Sequence, residues 1–148
     1  MSFVRNETQV ALRDVHVALL ESVDHYRDAA EFSSNQVAAE CFNAIAEARE
    51  ALAHDYAEAI RAADDLPSVP DPELEGGEQF LSHLATLFAA DELEGLVEQR
   101  LDAENRLEQL LQHSEIEGPL REVRADLWQS CRDNIARARQ QLSELRSA

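Results

Sequence analysis

The stretch from Gln36 to Ala63, QVAAECFNAIAEAREALAHDYAEAIRAA, constrains this chain most. It holds no Gly or Pro and is rich in Ala, Glu and Arg, so it reads as one long helix. Its apolar positions step by fours and threes through Ala38, Phe42, Ile45, Leu52, Tyr56, Ala59 and Ala63. That spacing lines one face of a helix and makes a packing seam against other helices. The step between Ile45 and Leu52 falls on Arg49, a permanent cation in the middle of the apolar face.

The same periodicity recurs on both sides of this stretch. A first helix is expected from Asn6 or Thr8 to about Ser33, with the seam Leu12, Val15, Leu19, Ser22, Tyr26, Ala29 and Ser33. The break Ser33-Ser34-Asn35 is so short that the first two helices must form an antiparallel hairpin, with Ser34 or Asn35 capping the second. After Asp65 comes LPSVPDPELEGG, which holds three of the four prolines and must be irregular. Glu78 to Ala89 reads as a short amphipathic helix carrying Phe80, Leu81, Leu84, Leu87 and Phe88. A third long helix is expected from Glu92, capped by Asp91, to about His113. Gly118-Pro119 reads as a stop and restart, followed by a last helix from Leu120 to Leu145. The expected fold is therefore all-α: one domain, residues 1–148, built as a four-helix bundle. The long connection between helices two and three returns along the bundle, which makes those two helices parallel.

Composition limits the partners. The chain carries 30 acids against 13 bases, a formal charge of −17, and every base is Arg. That excess argues against nucleic acid and anionic membranes, which need a cationic surface. It serves either as a solubility surface or as an acidic face that attracts cations or a basic partner. No stretch has the length and apolarity of a membrane span, and no signal peptide is visible. Cys41 and Cys131 are far apart and outside any Cys-x-x-Cys pair, so free thiols in the cytoplasm are expected.

Metal chemistry is the one function that a helical bundle of this kind puts in question. Di-iron bundles take a Glu from each of two helices and a Glu-x-x-His from each of the other two. No Glu-x-x-His occurs here. Glu50 with His54 and Glu21 with His25 have the spacing i, i+4, and Glu47 is near the first pair, but all five flank the seams and read first as surface residues. On the seams themselves stand Arg49 and Glu104, each about four turns into its helix, with Ser22 and Asn134 able to take spare hydrogen bonds. Arg49 is then either buried against Glu104 or extended between two helices to solvent. No phosphate loop or activated nucleophile is apparent: Gly76-Gly77 lacks the surrounding pattern, and His16, His83 and His113 are isolated.

The residues VALLESVDHYRDAAE and FNAIAEAREALAHDYAEAI together resemble a family of ferritin-like four-helix-bundle proteins of bacteria classed as a domain of unknown function. The carrying motifs are an aromatic followed by Arg-Asp-Ala-Ala-Glu and an Ala-Glu-x-Arg in helix two. The resemblance implies the ferritin-like fold and a bacterial cytosolic origin; it does not imply an enzyme, because the activity of that family is itself unassigned. The wider ferritin and rubrerythrin group would place a ligand Glu about two turns before the helix-one Tyr, where this chain has Leu19. The expectation is thus a non-enzymatic bundle protein without cofactor, of unassigned role, stress response included. It would act through its surface or by self-association as a homo-oligomer. The alternative is a ferritin-like protein that binds or oxidises iron.

Overall fold

The computed structural model describes residues 4–67 and 92–147. Among the described residues there are five helices and no strand. The first, α1 (Glu7–Phe32), opens on a reciprocal cap. The Asn6 side chain accepts from the Gln9 N–H at 2.8 Å, and the Gln9 side chain accepts from the Asn6 N–H at 2.8 Å. Asn35 caps α2 (Gln36–Ala62) in the same sense, accepting from the Ala38 N–H at 3.0 Å. Three further helices follow: α3 (Glu92–Gln112), α4 (Ser114–Val123) and α5 (Ala125–Ser147). Glu78 to Ala89, Asp91 and almost all of the connection before α3 lie outside the described residues.

The restart expected at Gly118-Pro119 does not occur there. Helix α4 runs straight through both residues and ends at Arg124 (φ −135°, ψ 58°). In the second turn of a helix, Pro119 forfeits a single backbone bond, the one its N–H would have given to Glu115. Burial outweighs that loss. Ile116 and Leu120 lie one turn apart and are both taken into the core, which holds α4 helical across the proline. The break at Arg124 is itself well bonded. Its N–H donates to the Leu120 carbonyl at 2.7 Å, and its carbonyl accepts from Leu127 and Trp128, which starts α5. The last long helix therefore begins at Ala125, not at Leu120.

Two apolar clusters fill the interior. One joins Ala11 to Leu19 of α1, Leu52 to Ile60 of α2, Leu107 and Leu111 of α3, α4, and Leu127 to Ile135 of α5. The other joins Val23 to Ala30 of α1, Ala38 to Ala46 of α2, Leu96 and Val97 of α3, and Ala138 to Leu145 of α5. The chain leaves the first cluster along α1 and returns to it along α2. It then runs from the second cluster to the first along α3, and back along α5. So α2 and α3 point the same way. Helix α1 packs on α2 and α4, and α5 packs on α2, α3 and α4. Small seam residues such as Ala11, Ala46 and Ala53 are almost fully buried, which lets the helix backbones approach closely. No described helix is long and apolar enough to cross a membrane.

Candidate functional site

Between the two clusters lies a polar layer centred on one residue of each long helix: Ser22, Arg49, Glu104 and Asn134. Arg49 of α2 is fully buried, and Glu104 of α3 is 1% exposed. All five N–H donors of a guanidinium are available to neighbours, and Arg49 uses every one. Its Nη1 donates to Glu104 Oε2 at 2.5 Å and to Ser22 Oγ at 2.9 Å. Its Nη2 donates to Glu104 Oε1 at 2.6 Å and to Asn134 Oδ1 at 2.8 Å, and Nε donates to the same Asn134 oxygen at 2.9 Å. The carboxylate thus receives a two-pronged guanidinium, the strongest geometry for this pair. A third donor reaches it from α1, where the Tyr26 hydroxyl donates to Glu104 Oε2 at 2.8 Å.

The electrostatics follow from this arrangement. Burial disfavours the Arg49 cation, but the hydrogen bonds and charge of Glu104 outweigh it and hold the guanidinium protonated above its ordinary range. Burial and the neighbouring Glu104 charge push the Tyr26 hydroxyl far upward, so it stays a neutral donor. A second guanidinium, Arg100, stacks 5.0 Å from the Tyr26 ring centroid, with Arg49 at 5.7 Å from the same ring. Arg100 is 1% exposed, its Nε donates to Gln99, and burial draws its pKa down. Cys131 borders the layer in the core, and burial pushes its thiol up to about 12, which leaves it without nucleophilic character at neutral pH.

The structure thus brings Ser22, Arg49, Glu104 and Asn134 into direct contact, and Arg49 does not extend to solvent. The five flanking residues do not converge. Glu50 pairs with Arg27 of α1 at 2.7 Å on the surface, and His54 pairs with Glu58 at 3.3 Å, each side chain about half exposed or more. Glu21 and Glu47 are exposed, and His25 is half-buried. Burial, then the charges of Arg100 and Arg106, depresses the His25 pKa to about 4. Among the described residues, no group of three or more His, Cys, Asp and Glu is placed to hold a metal ion.

Two members of the layer escaped the sequence reading. Tyr26 looked like an ordinary apolar seam residue, although it stands one turn after Ser22 and so on the same face. Arg100 precedes Glu104 by four residues, a spacing that puts both on one side of α3 and would have marked a second cation at the layer. Compared with known protein families, with curated proteins and with solved structures, the chain matches none.

Proposed function

We propose that this chain is a non-enzymatic four-helix bundle with ferritin-like connectivity, in which an arginine–glutamate pair takes the interior position that related bundles give to metal. It acts through its surface or by association with further copies. The observation that carries this reading is the complete hydrogen bonding of the Arg49–Glu104 pair. Every Arg49 donor is used, and both Glu104 oxygens are engaged by Arg49, one of them by Tyr26 as well. A metal ion would have to displace a guanidinium that is already at bonding distance of the central carboxylate, and would leave that cation buried without its partner. The shared direction of α2 and α3 supports the ferritin-like connectivity, in which the second and third helices are parallel. Two free thiols, Cys41 and Cys131, agree with a reducing, cytosolic setting.

Metal analysis of protein purified without chelator, before and after exposure to ferrous iron, tests the reading. The expected result is trace metal only. Iron retained in stoichiometric amount overturns it in favour of iron binding or oxidation. Sedimentation velocity on the same sample then reports whether the chain associates with itself.

A further inference from the structure

We infer that the polar layer around Arg49 is a register device: it commits the helices to one alignment among several that their apolar seams would otherwise accept. The apolar seams repeat themselves. A shift of α1 by seven residues exchanges Leu12 with Leu19, a shift of α2 exchanges Ile45 with Leu52 or Ala46 with Ala53, and a shift of α5 exchanges Ile135 with Leu142. Seven residues are about two turns, or about 10.5 Å of slide. At these positions a knob meets a hole of the same or similar size after such a slide, so apolar packing there discriminates only weakly between the alignments.

The layer does not repeat. Seven residues either side of Ser22 stand Val15 and Ala29, and either side of Arg49 stand Phe42 and Tyr56. Either side of Glu104 stand Val97 and Leu111, and either side of Asn134 stand Leu127 and Gln141. Any slide of one helix therefore carries a polar group into an apolar layer and brings an apolar or ill-placed group to face its former partner. Because the five Arg49 donors end on α1, α3 and α5, the single side chain senses the alignment of all three neighbours at once. A slide of α3 is the costliest. It buries Glu104 away from its guanidinium, and an uncompensated interior charge is strongly destabilising.

The same physics says what the layer does not do. A buried ion pair loses hydration that its Coulomb attraction only just restores, so an apolar layer of similar volume is often as stable or more so. The layer thus discriminates against the wrong alignments and adds little to the right one. This role rests on the same residues as the proposed function but holds whether or not the protein takes up metal. Iron content tests the proposed function, and uniqueness of fold tests the register role.

The experiment replaces the whole layer: Ser22→Ala, Tyr26→Phe, Arg49→Met, Arg100→Met, Glu104→Met and Asn134→Leu together. The expected protein keeps its helical circular dichroism and melts at or above the native temperature. Its amide resonances, however, multiply or broaden and it binds the dye ANS, as a chain that samples several alignments does. A single sharp set of amide resonances overturns the inference, because the fold would then be unique without the layer. A chain that fails to fold also overturns it, because the layer would then be needed for stability itself. The single variant Arg49→Met serves as the control and is expected to melt well below both.

Discussion

At the scale of the residue, Arg49 and Glu104 are each tolerable only because of the other. Arg49→Ala leaves the Glu104 carboxylate buried with the Tyr26 hydroxyl as its one neutral donor, and should cost roughly 3–5 kcal/mol in urea denaturation. A cost below about 1 kcal/mol would mean that the pair behaves like an exposed one. Tyr26→Phe removes the third donor alone and should cost roughly 1.5–3 kcal/mol, the range for a hydrogen bond to a charged group. His25 supplies a pH dependence. Its folded pKa of about 4 lies below its ordinary 6.5, so as pH falls the unfolded chain takes up the proton first. The folded state therefore loses stability between about pH 6.5 and pH 4, with no further loss from this group below that. His25→Gln should flatten the fall in melting temperature across this window relative to the native chain. Equal slopes in the two proteins would remove His25 as the cause. Below the window, Asp65 and Asp126, held low by hydrogen bonds from Arg5 and Arg124, add an acid loss common to both.

At the scale of the element, α4 is where propensity and burial disagree. Gly118 has no positive φ, and a Cβ built on it meets nothing within 4 Å. Gly118→Ala should therefore stabilise by about 0.5–1 kcal/mol, since alanine is the better helix former and has room. Leu120→Ala should cost roughly 2–5 kcal/mol, because it hollows the contact that holds α4 in place. Thermal melts of the two variants must move in opposite directions for this account to stand. The same helix shows why part of the fold was legible and part was not. Asn35 and the seams of α1 and α2 could be read because caps and periodicity are local properties of sequence. The Arg49 interruption could be read because a cation on an apolar face is conspicuous. The path through Gly118-Pro119 could not, because it depends on what Ile116 and Leu120 meet from other helices. The partner of Arg49 was legible only as a matter of level along two helices, and the Tyr26 hydroxyl, which closes the layer, was hidden inside an apolar pattern.

At the scale of the whole molecule, charge sets the response to the medium. Thirteen bases can pair with at most 13 of the 30 acids, so the folded chain crowds like charges that the unfolded chain spreads apart. The buried Arg49–Glu104 pair is shielded from salt, whereas exposed pairs such as Arg27–Glu50 are not. Raising NaCl from about 0.01 to 0.15 M shortens the screening length from about 30 to 8 Å. The melting temperature should rise by a few degrees across this range, the response expected for about 1 kcal/mol in a domain of this size. A flat or falling curve would show that the exposed charges are arranged attractively in spite of their imbalance.

Trp128 is the chain's one tryptophan, and its indole N–H donates to the Leu111 carbonyl at 3.0 Å while Arg121 and Arg132 lie 4.9 and 4.8 Å from the ring centroid. The indole is 6% exposed, at the place where α3, α4 and α5 meet. The molecule therefore carries its own optical gauge of that joint. Its fluorescence reports water reaching the junction, while circular dichroism reports the helices as a whole. If the two signals change together on heating, the joint and the bundle open as one unit. If the emission shifts to the red first, α4 is the part of the molecule that loosens before the rest.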